Sequence, residues 1–153
     1  MTSTLSATVP QTHVRYEEVR DLLDFLPVLY PGGDEWLVRR ARDVNTGRAV
    51  ARIARVDGEL AGVSLGVMKP SGRFKISTLF VAPNARKRGV GSQLLIEMLD
   101  AGQNYGAVET YITGATTVRA HLVPLLCRAG FRLIATEPNR YGEGRDEDVF
   151  VRP

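Results

Sequence analysis

Leu79-Phe80-Val81-Ala82-Pro83-Asn84-Ala85-Arg86-Lys87-Arg88-Gly89-Val90-Gly91-Ser92 is the stretch on which the reading of the fold turns. Its apolar start closes a strand that runs from Phe74 to Val81, and Pro83 cannot continue it. From Gly91 to Ala101 the apolar residues Leu94, Leu95, Met98 and Leu99 recur with helical period, and Gly102 and Gly106 close the segment. The order is therefore strand, basic turn, helix. A helix start leaves its first backbone N–H groups unbonded and carries the positive end of the dipole. Gly89 and Gly91 let the backbone approach a cluster of oxygens, and Arg86, Lys87 and Arg88 add to the field. A pyrophosphate fits this chemistry; the plain alternative is a turn with a solvated basic loop. The Rossmann fingerprint needs a third glycine where Leu94 stands, and no Gly-Lys-Ser/Thr follows for a P-loop, so neither common phosphate motif applies.

Upstream, Ala49 to Val56 alternates in polarity, Asp57-Gly58 interrupts, and Leu60 to Met68 follows, which is a hairpin signal. Pro70-Ser71-Gly72 makes a second turn before Phe74, so three antiparallel strands in a meander are expected. Further upstream, Val19, Leu22, Leu23 and Leu26 form a helical stripe that Pro27 and Pro31-Gly32-Gly33 stop, and Asp34 to Arg42 reads as a short second helix. Thr4 to Val9 is either a first strand or a tail. Downstream, the pattern predicts a strand over Val108 to Thr113, a helix over Val118 to Ala129, a strand over Phe131 to Thr136 and a last one over Asp148 to Val151. Pro124 conflicts with that helix, which either begins near His121 to Val123 or kinks at the proline. Together these elements give an α+β fold in one domain over residues 1–153, with residues 1–12 as first strand or tail.

The composition agrees with a globular chain of this kind. The 153 residues are 44% hydrophobic, 24% charged and 7% aromatic, with no repeat and no Pro/Gly/Ser linker. A domain of that length buries roughly 70% of its unfolded surface and needs no covalent staple. The lone Cys127 excludes an internal disulfide and a Cys-rich zinc site. No apolar run approaches the ~18 residues of a membrane span, and Met1 to Gln11 has no signal-peptide pattern, so a cytoplasmic protein is expected. Charge is nearly balanced, at +3, and its placement is more informative. Arg86 to Arg88 is a basic run, whereas Asp146, Glu147 and Asp148 form an acidic one, suggesting sites of opposite preference.

At the basic turn the chain resembles the GNAT superfamily of N-acetyltransferases. Their motif is Arg or Gln, two residues, Gly, one residue, then Gly or Ala, a few residues after a strand ending in Val-x-Pro. Val81-Ala82-Pro83 followed by Arg86-Lys87-Arg88-Gly89-Val90-Gly91 matches it throughout, as does the helix start Ser92-Gln93-Leu94-Leu95. A second match is Gly130-Phe131 after Leu125-Leu126-Cys127-Arg128-Ala129. The resemblance implies a central mixed, mostly antiparallel sheet, flanked by helices and splayed at a cofactor site. It further implies that backbone groups at Leu79, Phe80 and Val81 bond the pantetheine arm of acetyl-CoA. N–H groups from Arg86 or Lys87 through Arg88, Gly89, Val90, Gly91 and Ser92 would hold its pyrophosphate. An acceptor amine would enter from the opposite side of the sheet and attack the thioester directly. Many relatives pair through their late strands, which leaves a homodimer open.

Two departures from the family pattern concern proton transfer. The strand Phe74 to Val81 lacks the carboxylate that many members use as base, and Leu126 stands where a Tyr often protonates the CoA sulfur. For the base, Glu109 in Val108-Glu109-Thr110-Tyr111-Ile112 lies beside the expected splay; the alternative is that it sits at the exposed start of its strand. For the acid, Tyr141 in a polar loop between the last two strands is the candidate, with Cys127 and His121 behind it. Glu143, Asp146, Glu147 and Asp148 either line the acceptor entrance and attract an ammonium group or form a solvated face.

The leading functional expectation is acetyl-CoA-dependent acetylation of a primary amine on a small molecule. Acylation of a protein or aminoacyl-tRNA is a second reading, and a CoA-binding module without turnover a third. Arg39, Arg40, Arg42, Arg48 and Arg52 spread over a helix, a loop and both faces of a strand, which argues against a nucleic-acid footprint.

Overall fold

The computed structural model describes residues 9–11, 20–21, 23–24, 32–140 and 142–153. Most of the predicted Val19–Leu26 stripe, Thr4 to Thr8 and Tyr141 lie outside these residues. Leu23 of that stripe is buried against Leu37, Ala41 and Leu65.

Local chemistry explains each boundary. Helix α1 (Gly33–Asn45) starts after Gly32, carries Asp34 and Glu35 in its first turn, and buries Leu37, Ala41 and Val44 on one stripe. It is three residues longer at its end than the sequence suggests. Strands β2 (Val50–Val56) and β3 (Glu59–Met68) meet through Asp57 and Gly58, both at positive φ (52° and 83°), as a primed hairpin turn requires. After a turn closed by Gly72 N–H to Lys69 C=O at 2.9 Å, β4 covers Arg73–Val81. A single turn of 3₁₀ helix at Pro83–Ala85 leads to α2 (Val90–Asn104).

Then come β5 (Glu109–Ala115), α3 (Arg119–Arg128), β6 (Arg132–Glu137) and β7 (Glu147–Arg152). Pro124 stands inside α3, so the helix neither starts beside it nor ends at it. The proline removes one N–H from the ladder, and the Arg128 Nε bonds the Pro124 carbonyl at 3.1 Å.

With β1 (Val9–Gln11) antiparallel to β2, the described strands form one sheet of seven in the order β1-β2-β3-β4-β5-β7-β6. Every neighbouring pair is antiparallel except β4 with β5. The expected mixed, mostly antiparallel sheet is thus present. Helices α2 and α3 cover one face, where Phe74, Ile76, Leu95, Met98, Ile112, Leu126, Phe131 and Phe150 cluster. Helix α1 covers the other, with Leu37, Ala41 and Val44 against Ala51, Val63 and Leu65. Alternation along each strand assigns its residues to these two faces. Close approach of α2 to the sheet depends on Gly62, where an added Cβ would lie 2.9 Å from both Leu94 and Val90.

Candidate functional site

The site begins where the one parallel pairing stops. β4 and β5 are in register from Arg73 opposite Glu109 to Ile76 opposite Ile112, and no further. Beyond that point Thr78 to Val81 pair only with β3, and Thr113 to Ala115 only with β7. A bulge explains the parting. Thr78 faces Leu65 and Ile76 faces Gly66, so Ser77 is an extra residue that strengthens the local twist of β4. Two hydroxyls fix it: Ser77 Oγ donates to the Leu65 carbonyl at 3.2 Å, and the buried Ser64 Oγ to the Thr78 carbonyl at 2.9 Å. Leu79, Phe80 and Val81 therefore line an open seam in the sheet, half-buried, with one backbone edge facing β5 across the gap.

The basic turn closes one end of this seam. Arg86 Nε bonds the Val81 carbonyl at 3.0 Å, and its guanidinium lies 5.7 Å from the Phe80 ring centroid. Lys87 and Gly89 adopt left-handed φ of 64° and 81°, which swings the chain into α2. No side chain caps that helix, and the first helical bond is Gln93 N–H to Gly89 C=O. The N–H groups of Val90, Gly91 and Ser92 are thus left for an anion. An added Cβ on Gly89 would meet nothing within 4 Å, so the loop is open there. Gly91 differs from its expected role: its Cβ would point to Leu125 and Val81, at 3.5 and 3.6 Å, rather than into the loop. The structure brings Leu79, Phe80, Val81, Arg86, Lys87, Arg88, Gly89, Val90, Gly91 and Ser92 to one continuous edge, and the residues present fit a pyrophosphate joined to an extended arm.

The candidates for proton transfer separate. Glu109 opens β5 at the paired end, directly opposite Arg73, and its Oε1 lies 2.5 Å from the Arg73 Nε. Arg73 also stacks on Tyr111, 4.1 Å from the ring centroid. This places Glu109 in an ion pair at the paired end of β5, three registered pairs before the last one at Ile76–Ile112; the parallel register, invisible in the sequence, sets it there. Glu109→Gln is expected to leave amine-dependent CoA release within about twofold of wild type and to cost under ~1 kcal/mol in a thermal melt. A loss of turnover with CoA affinity intact would return Glu109 to the chemistry.

Tyr141 lies outside the described residues. Cys127 and His121 are exposed on α3, and Leu126, in the position of the family's Tyr, is fully buried.

The acidic run near the C-terminus divides three ways. Asp146 accepts the Asn139 backbone N–H at 3.0 Å in the loop. Asp148 points to the α3 side, completely buried, and takes two bonds of 2.7 Å from Arg119 and one of 2.7 Å from Thr136 Oγ1. The Arg119 guanidinium holds its carboxyl below the usual range. Glu147 points the other way, to the α1 face. It is 5% exposed, and burial raises its pKa against the pull of the Thr113 hydroxyl and the charges of Arg140 and Lys75. Lys75 lies on the same face. It is half-buried, and burial lowers its pKa, helped by Lys69, Arg140 and Arg40 and opposed by Glu147.

Of the arginines in the first third, Arg39, Arg40, Arg42 and Arg48 line a shallow cavity of about 360 Å³ with Asp43. Arg52 is elsewhere, 3.8 Å from Glu97 of α2.

Among the described residues no helix is long and apolar enough to cross a membrane.

Comparison with known proteins agrees with this architecture. The sequence model of the Acetyltransferase (GNAT) family matches residues 16–131, well over half of the chain. An uncharacterized N-acetyltransferase of Bacillus subtilis, YvbK, is 28% identical over 92 residues, which span 60% of this chain and 59% of that protein. A Bacillus subtilis acetyltransferase solved with CoA superposes with a TM-score of 0.72 at 19% identity, covering 97% of this chain and 98% of that one. The ribosomal-protein-S18-alanine N-acetyltransferase of Escherichia coli superposes at 0.75 with 14% identity, covering 99% and 94%. At such identities the likeness is one of fold. The family match, the seam and the uncapped helix meet at one place in the chain: the protein belongs to the GNAT acetyltransferase family, enzymes with acetyl-CoA as co-substrate.

Proposed function

We propose that this chain acetylates a primary amine of a small molecule, with acetyl-CoA lying in the seam between β4 and β5. One observation carries the reading: the bulge at Ser77 opens the sheet beside the bare N-terminus of α2. In this proposal the backbone edge of Leu79, Phe80 and Val81 takes the pantetheine arm as a further strand would. The N–H groups of Val90, Gly91 and Ser92 take the pyrophosphate, with the charges of Arg86, Lys87 and Arg88 around it. The thioester then lies near the point of divergence, open to the face that carries α1. There an amine nitrogen attacks the acetyl carbon, the C–S bond breaks, and its electron pair leaves on the CoA sulfur. Tyr141 is retained on sequence grounds as the donor of a proton to that sulfur.

A second reading has its own observation. Arg39, Arg40, Arg42 and Arg48 share one cavity, which supports an acidic macromolecular acceptor. Calorimetric titration with acetyl-CoA, followed by a thiol-release assay with amines, polyamines, aminoglycosides and peptides, tests both. Release with a small amine supports the first reading. Release only with peptides, or tRNA binding that weakens steeply with salt, supports the second, and no binding of acetyl-CoA removes the cofactor site.

A further inference from the structure

Two charged side chains of opposite sign stand on the acceptor face, neither in a direct salt bridge among the described residues. Lys75 follows Phe74 and precedes Ile76, both buried against α2, so alternation turns it to the α1 side. Glu147 stands opposite Ala115 on β5, and its neighbour Asp148 takes the α3 side, so Glu147 shares the face of Lys75. Of the cations that act on Lys75, namely Lys69, Arg140 and Arg40, the two arginines are engaged with carboxylates. Arg40 is bonded to Asp43 at 2.8 Å, and Arg140 to Glu137. Among the described residues the Lys75 ammonium makes no hydrogen bond or salt bridge and the Glu147 carboxylate no salt bridge; each feels the other's opposite charge without direct contact, and Glu147 also that of Arg140. Burial, partial at Lys75 and nearly complete at Glu147, makes such charges costly unless something completes them.

Their order along the sheet is equally specific. Glu147 stands opposite Ala115, in the stretch of β5 past the divergence, so it sits at the mouth of the seam. Lys75 is on the paired stretch, one residue before the last registered pair, and so lies farther back.

We propose that the acceptor is a small primary amine with an anionic group, carboxylate or phosphate-like, close to the amine, Glu147 receiving the ammonium and Lys75 the anion. This rests on the acetyl-transfer reading above. The substrate ammonium gives one proton to the Glu147 carboxylate, the freed lone pair forms the C–N bond, and the C–S bond breaks toward sulfur. The second amine proton passes to the thiolate or to water, leaving an amide, CoA thiol and one proton to return to solvent from Glu147. Burial raises the Glu147 pKa, which makes it a better proton acceptor near neutral pH.

Matched acceptor pairs test the proposal with the full chain and saturating acetyl-CoA: L-leucine with 3-methylbutylamine, L-phenylalanine with 2-phenylethylamine, and 2-aminoethylphosphonate with propylamine. Thiol release should give a kcat/KM about 30-fold higher for the anionic member of at least one pair, and the pair that responds distinguishes carboxylate from phosphonate. Lys75→Met should bring that ratio within about threefold. Glu147→Gln should lower kcat about 100-fold for charged and neutral members alike, with acetyl-CoA affinity kept. Equal kcat/KM across every wild-type pair, or a ratio that survives in Lys75→Met, overturns the proposal. If acetyl-CoA binds yet no member of any pair releases CoA, small-molecule turnover itself has failed. Equilibrium binding of the same pairs to CoA-loaded protein then decides: tighter binding of the anionic members, lost in Lys75→Met, upholds the charge match, and equal binding ends it.

Discussion

Gly89→Glu should weaken acetyl-CoA binding by at least about 100-fold while the chain still folds. Gly89 has φ 81° and precedes the first residue of α2, and an added Cβ there meets open space. A glutamate would carry its carboxylate into that space, among the N–H groups expected to hold phosphate oxygens, and reverse the local field. The left-handed backbone adds a cost of ~1–2 kcal/mol for any side chain, which lowers stability without blocking folding. Gly89→Ala separates the two effects, since it carries the strain but no charge and should weaken binding by no more than about tenfold. Calorimetry reads affinity, and circular dichroism on the same samples reads the fold. Unchanged affinity in the Glu variant would move the cofactor away from this loop.

Asp148→Asn should have the largest effect on stability, a loss of about 2 kcal/mol at neutral pH, or about 4–8 °C in Tm. Asp148 is fully buried and gathers Arg119 from the start of α3 and Thr136 from β6 onto β7. The loss is moderate because the Arg119 side chain is 46% exposed and water screens its half of the pair. The sign of the pH dependence follows from the depressed folded pKa. Stabilisation is complete above the unfolded value of ~3.9 and is lost as pH falls through the lower folded value. The gap between wild type and variant in denaturant melts should therefore close below about pH 4. A gap that is constant down to pH 2 would mean that the carboxylate charge is not what holds α3 to the sheet.

Local signals in the sequence carry over well. Asp57-Gly58 turns the β2–β3 hairpin because both residues accept positive φ, and the Leu94-Leu95-Met98 stripe is buried because α2 lies flat on the sheet. The edge proposed for the cofactor is continuous in the chain from Leu79 to Ser92, so a local reading reaches all of it. What depends on pairing between distant strands is not. The carboxylate of Glu109 is claimed by Arg73 through a parallel register that no local pattern reveals. The run Asp146-Glu147-Asp148 reads as one acidic patch, yet entering a strand divides it between the two faces of the sheet. Strand alternation is the available signal for that division, obscured because the sequence pattern starts the strand one residue later, at Asp148. Lys75 lay within a correctly expected strand, and only the neighbours supplied by other strands distinguish it from a solvent-facing lysine.

The seam also bears on how the molecule holds itself together. Among the described residues, four backbone pairs, Arg73–Glu109 to Ile76–Ile112, are all the strand pairing that joins β1–β4 to β5–β7. Each half is antiparallel and internally laddered, so the parallel junction is the natural hinge line for sub-global opening. A ligand lying along the unpaired edge acts there as a splint, and its binding energy is added to the resistance of the junction to opening. The acyl donor would then be consumed chemically and used mechanically in the same visit, and each release of CoA would loosen the fold at the place where the next donor must enter.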